Sequence, residues 1–361
     1  MDHVDDSGLP PSQHYAQRLK LVEAMDRLGF YSYHVAEHHG TPLGLAPSPS
    51  VYLSAVAQRT RTLRFGPMVF VAPLYHPMRL AEEICMLDQM STGRLQLGIG
   101  RGAVWLEHEI YDVDPASSAE RYAEARDLVL QALTQTTVNF SGKHFRVRNF
   151  PMVLRPYQTP RPPLWYGIGN PESAVWAAAH AANVVSLQPA AVARRTLDRY
   201  REEWHKLGRQ DSALPFLGVA RHVVVADTEP EARRIARAAY PRWRASFSSL
   251  WDKRGVPTPL NLPHEWDALQ EAGQSVAGTP ATVREYLQAQ RATAGASFFL
   301  CQMVFGEIGY EEALRSLTLL AGVPATLWPA SCRASHSCGR LSGVGTPRLS
   351  HSEENDARQR G

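Results

Sequence analysis

Glu37, His38 and His39 stand side by side directly after a short apolar run, Phe30 to Val35. Three titratable groups at such a place can supply a base near neutral pH, because imidazole titrates there. One histidine packing while its neighbour faces water is the competing reading. Zinc is disfavoured, since adjacent side chains diverge and the HExxH spacing on one helix face is missing. Gly98-Ile99-Gly100-Arg101-Gly102-Ala103 also follows an apolar run. It satisfies GxGxxA, the pattern of a dinucleotide-binding turn, which needs an immediate helix and an acid about 20 residues on. Glu120 is available by count, but Pro115 intervenes where a second strand is needed. Alternatively, Arg101 reaches a phosphate from a strand end, or the glycines form only a tight turn. Gly169-Asn170-Pro171-Glu172-Ser173 opens a helix, where free amides bind phosphate and Asn170 and Ser173 add donors. Plain capping by Asn170 would look the same. Cys332, His336 and Cys338 lie in a polar tail and read as a chance grouping rather than a metal site.

The elements that must position these residues alternate. Apolar runs at 30–35, 63–72, 95–99, 164–168, 184–187, 217–226 and 297–304 read as strands. Between them, spacing near 3.6 predicts helices at 15–28, 50–60, 78–90, 119–134, 171–182, 191–208, 230–240 and 279–291, with a last helix at 310–320. A short hairpin is expected at 140–145. This alternation means a parallel α/β sheet, either a barrel or doubly wound. Both architectures place active sites at the carboxyl ends of strands, where the polar clusters fall. Residues 241–278 show no clear period and read as an insertion before the last strand. Residues 1–14 read as a polar N-terminal arm, 15–328 as the barrel domain, and 329–361 as a disordered tail too poor in apolar residues to offset its ordering entropy.

The 361 residues are 44% hydrophobic and 20% charged, which excludes collagen, a coiled coil and a wholly disordered chain. No apolar run approaches the roughly 18 residues of a spanning helix, so no membrane partner is expected. The start lacks the basic region and apolar core of a signal peptide. A net charge of +3 gives no reason to expect nucleic acid. Four cysteines are too few for a disulfide framework, and a cytoplasmic setting follows.

Taken in order, the motifs resemble the bacterial luciferase-like flavin monooxygenase family. The carrying residues are Gly29-Phe30, Glu37-His38-His39, Val71-Ala72-Pro73-Leu74-Tyr75-His76-Pro77, Leu87-Asp88-Gln89-Met90-Ser91-Thr92-Gly93-Arg94, Gly98 to Gly102, and Pro162-Pro163-Leu164-Trp165 before Gly169. Their order holds over about residues 15–325. The resemblance implies a TIM (β/α)8-type barrel that binds FMN at its carboxyl end. Reduced FMN would come from a separate flavin reductase, react with oxygen, and oxidise an aldehyde or another small organic substrate. The resemblance makes His38 and His39 the catalytic residues, His38 as the base with its neighbour beside it, and maps the phosphate site onto Arg101, Arg121, Gly169, Asn170 and Ser173. It also implies a non-proline cis peptide at Met68-Val69 beside the flavin, and a homodimer through helices near 78–90.

Two features depart from the family. Only seven strands are counted, because residues 1–12 hold no strand-like run, so the expected barrel lacks its first strand. The last helix gives way to a polar tail. Three alternatives stay open: a deazaflavin-dependent oxidoreductase on the same fold, an inactive truncated flavin-binding homologue motivated by the absent first strand, and a nicotinamide-dependent dehydrogenase of doubly wound type supported only by the GxGxxA match.

Overall fold

The computed structural model describes residues 1–258 and 262–323. Its elements run α1 (Pro11–Arg27), β1 (Ser32–Val35), α2 (Pro49–Arg59), β2 (Arg64–Pro67), β3 (Phe70–Val71), α3 (Pro77–Met90), β4 (Leu97–Gly100), α4 (Trp105–Ile110) and α5 (Ser118–Thr134). They continue with β5 (Thr137–Ser141), β6 (Arg146–Pro151), β7 (Leu164–Gly167), α6 (Pro171–Ala179), β8 (Asn183–Ser186), α7 (Ala190–Lys206) and β9 (Leu217–Val225). The last elements are α8 (Glu229–Arg254), α9 (Trp266–Glu271), β10 (Ser275–Gly278), α10 (Pro280–Ala294), β11 (Phe298–Gln302) and α11 (Tyr310–Ala321). Local chemistry sets the ends. Thr279 accepts the Thr282 amide to start α10, Pro280 occupies its first turn, and Gly295 stops it at φ +65°.

The wall strands are parallel. β1 pairs β2, β3 pairs β4, and β4, β7, β8 and β9 follow in turn, with β11 on β9. Phe65 bridges Leu95 and joins β2 to the chain entering β4. β5 and β6 form an antiparallel hairpin apart from the wall. Leu217 and Val219 of β9 belong to the large core shared with the helices, whereas Ala220 packs with Trp165, Val185, Phe298 and Leu300 in a second core within the ring of strands. That layered interior is the barrel expected from the alternation.

The first strand position is filled. The Asp2 amide donates to His34 O at 2.8 Å, the Ala36 amide to Asp2 O at 2.9 Å, and the Leu45 amide to Val4 O at 3.0 Å. On the other side, the Met1 amino group donates to Cys301 O at 2.8 Å. Residues 1–5 thus lie between β1 and β11, and the expectation of a polar arm and a missing strand is corrected. The segment hides in the sequence because its polar residues are paired inside the protein. Asp2 accepts from the Val4 amide and the Tyr33 hydroxyl, and Asp5 accepts the Gly306 amide at 2.6 Å. Arg18 lies 3.8 Å from Asp2 and 3.4 Å from Asp5. The feature that motivated a truncated homologue is therefore absent.

Residues 241–278 are also corrected. They are no patternless insertion: α8 runs on through Pro241 to Arg254, and β10 pairs with β9 from Ser275 to Gly278. Pro241 reads as a breaker, yet the helix absorbs it. The doubly wound alternative falls with the barrel, since β4 is followed by a loop to the short α4 rather than by a phosphate-binding helix. Gly98 and Gly100 have a different cause: a Cβ on Gly98 would stand 2.2 Å from Pro67 O, and one on Gly100 would stand 2.4 Å from Val69 Cγ2. The tail at 329–361, with Cys332 and Cys338, lies outside the described residues. Among those described, no helix is long and apolar enough to cross a membrane.

Candidate active site

β1 ends at Val35, and the chain leaves the barrel mouth through Ala36 to His39. Glu37 is the anchor of this turn. Its buried carboxylate accepts the Val71 amide at 3.1 Å, the Tyr75 hydroxyl at 3.0 Å and His39 Nε2 at 2.9 Å. The Tyr75 phenol is pushed well above its ordinary pKa, first by burial and then by the Glu37 charge. His39 spends its other ring nitrogen, Nδ1, on the Tyr111 hydroxyl at 2.8 Å. Both its nitrogens are committed, so His39 serves as a strut.

His38 is placed differently. Its Nδ1 lies 3.0 Å from Glu107 Oε1. The carboxylate can only accept, so the ring carries its proton on Nδ1 and turns the Nε2 lone pair outward. Nε2 has no hydrogen-bond partner among the described residues, and the side chain is 15% exposed. The same Glu107 oxygen accepts the His39 amide at 3.1 Å, which fixes the carboxylate in turn. Gly44 permits this packing, since a Cβ there would stand 2.7 Å from His38 Cβ. The sequence reading missed Glu107 and Tyr111, and quoted Tyr75 only as part of a motif. Glu107 sits on the six-residue helix α4, too short for a periodicity signal.

Arg101 lies just past β4. Register pairs Gly98 with Trp165, so Arg101 stands level with Ile168 at an adjoining strand end. Arg101 is exposed and makes no side-chain hydrogen bond or ion pair among the described residues. Beside it, a Cβ on Gly167 or Gly169 would meet nothing within 4 Å. Asn170 caps α6, accepting the Ser173 amide at 3.0 Å, and the Ser173 hydroxyl donates to Asn170 O at 2.6 Å. The capping reading of these two is therefore realised. Arg121 donates from Nε to Pro73 O at 2.9 Å and lies over the Phe145 ring at 4.7 Å. Its terminal nitrogens are unbonded among the described residues. The Met68-Val69 peptide is cis. It separates β2 from β3 in the wall.

At the carboxyl ends of the wall strands, His38 is held by Glu107 after β1, and Arg101 stands exposed after β4 with no side-chain partner among the described residues. Comparison with known proteins places the chain in a family. The family model for luciferase-like monooxygenase matches residues 1–297. An uncharacterized protein of Sinorhizobium fredii, y4wF, is 44% identical over 313 residues, covering 87% of this chain and 92% of that one. The oxygenase component of a flavin-dependent trigonelline monooxygenase of Acinetobacter baylyi is 29% identical over 240 residues, covering 65% of this chain and 66% of that one. Among solved structures, the oxygenating constituent of 3,6-diketocamphane monooxygenase of Pseudomonas putida, in complex with FMN, superposes with a TM-score of 0.74 at 21% identity, over 89% of this chain and 95% of that one. This chain belongs to the luciferase-like monooxygenase family.

Proposed function

We propose that this protein is the oxygenase component of a two-component monooxygenase. It takes reduced FMN from a separate flavin reductase and, with oxygen, oxidises an aldehyde or another small organic compound. The observation that carries this reading is His38, whose Nδ1 is held by Glu107 while Nε2 faces outward at the barrel mouth. Such a nitrogen holds or moves a proton beside the reacting centre.

The residues present fit a flavin phosphate. Arg101 offers an unpaired guanidinium, and Gly167 and Gly169 leave room that a Cβ would fill. Arg101 would hold the phosphate with the terminal nitrogens of Arg121 and the backbone about Gly169, Asn170 and Ser173. Met68 and Val69 would lie beside the ring system. Reduced FMN, when bound, supplies the electrons that activate oxygen. The protein's own work is to bind the phosphate, orient the ring and exclude water. His38 then sets the proton. The naming of the trigonelline relative as an oxygenase component supports a reductase partner. Exposed Met86 and Met90 on one face of α3 support a homodimer through that helix.

Titration of the purified chain tests this reading, using reduced and oxidised FMN, riboflavin and a reduced deazaflavin. Reduced FMN is expected to bind most tightly. Tighter deazaflavin binding would shift the reading to an oxidoreductase on the same fold, and no flavin binding in either redox state would end it.

A further inference from the structure

We infer that His3 is a positioning residue for His38, so that the proton-handling group of the site is set by the first strand position as well as by α4. This rests on the reading of His38 as the base.

His3 is buried, and its ring stacks on that of His38, with centroids 5.5 Å apart and planes 23° from parallel. Its own orientation is fixed from two sides. The Gln302 side-chain amide of β11 donates to His3 Nδ1 at 3.0 Å, and the Trp243 ring of α8 meets its edge at 5.6 Å. Because Nδ1 accepts, the His3 proton resides on Nε2. The groups that face His3 are His38, His222, the Met1 amino group and Arg18, all able to carry positive charge. Burial first, and these charges second, hold its pKa well below the ordinary value, so it stays a neutral ring.

The consequence for His38 is geometric. Glu107 restrains one atom of its ring, Nδ1, which still lets the two side-chain torsions of His38 shift together. A neutral ring lying nearly parallel removes that freedom and fixes where Nε2 points. Gly44 packs against the base of the same side chain, where a Cβ would stand 2.7 Å from His38 Cβ. A stacked partner whose pKa is held well below the ordinary value restrains His38 without competing for its proton. Proton transfer is sensitive to such placement, so a ring that swings loses rate without losing ligand.

The test is the His38 Nδ1 proton, observed by proton NMR of the flavin-free full chain labelled with nitrogen-15 at histidine. Held against Glu107, it is expected as a low-field resonance protected from exchange. His3→Ala should broaden or abolish it, while His3→Phe, which keeps a stacked ring and loses the Gln302 bond, should restore it. Thermal melts check that each variant is folded, and His3→Phe covers the case in which the alanine variant is not. An unchanged resonance in folded His3→Ala would overturn the inference. So would its loss in folded His3→Phe. Flavin titration is read separately: a chain that shows this ring-dependent proton yet binds no flavin would sink the oxygenase reading and still support the positioning role.

Discussion

Glu107 and His38 are joined by a 3.0 Å hydrogen bond across 69 residues of sequence. The carboxylate is 2% exposed, so its charge is felt by the ring with little solvent screening. It decides which nitrogen of His38 is basic. His38→Ala should lower turnover by about 10²–10⁴-fold, the usual worth of a positioned acid or base. Glu107→Gln should lower it in the same direction and by less, because the amide keeps an acceptor but lets the ring take the other tautomer. Flavin affinity should hold in both. Steady-state rates with flavin titration check this, and a Glu107→Gln variant as fast as wild type would remove Glu107 from the mechanism.

Arg101 makes no side-chain pairing of its own, so its removal should leave the fold intact and change only what binds there. FMN and riboflavin differ by the phosphate. Arg101→Ala should therefore weaken FMN by about tenfold or more, in line with a lost charge-assisted hydrogen bond, and leave riboflavin nearly unaffected. Equal preference for FMN over riboflavin in variant and wild type would place the phosphate elsewhere.

What the sequence showed, and what it hid, divides along physical lines. Strands such as Leu217 to Val225 are buried on both faces and so read as unbroken apolar runs. The Glu37-His38-His39 turn was legible because polar groups at a strand end have few structural reasons to cluster. Residues 1–5 were not legible as barrel wall, because Asp2, His3 and Asp5 are buried only by virtue of Tyr33, Arg18, Gln302 and Gly306, all distant in the chain. Glu107 was hidden for the same reason: its partner lies in another element, and no local pattern encodes that.

Met86 and Met90 stand one helical turn apart on α3, 52% and 44% exposed. Val153 and Tyr157 are exposed on the loop whose Arg155 O accepts the Gln89 side-chain amide. Together these make an apolar surface of the kind that marks an interface. Met86→Glu with Met90→Glu should convert a dimer to a monomer in sedimentation velocity while leaving the monomer folded, since neither side chain is in the core. A double variant that sediments as wild type would exclude this face.

Acid should destabilise the protein through its buried histidines. His34 and His222 are each pushed from 6.5 to about 3, chiefly by burial. A depressed folded pKa means the unfolded chain takes the proton first. The stability these groups lend is present in full above pH 6.5, and is lost as pH falls from there toward 3. Each contributes a slope of about 1.4 kcal/mol per pH unit within that window. Asp5 acts in the opposite sense. Burial raises it from 3.8 to about 7, so between those values the folded state holds the extra proton and gains stability as pH falls. With His3 and His14 lowered as well, these histidines outweigh the two raised carboxyls, Asp5 and Asp88, and the melting temperature should drop between pH 6.5 and 4. His222→Phe keeps an aromatic ring against Trp243, Tyr240 and Phe305 and should make that drop shallower. Asp5→Asn removes an opposing contribution and should make it steeper. Melting curves of the three proteins across this range decide the matter; parallel pH dependences would mean that neither group titrates out of step with the unfolded chain.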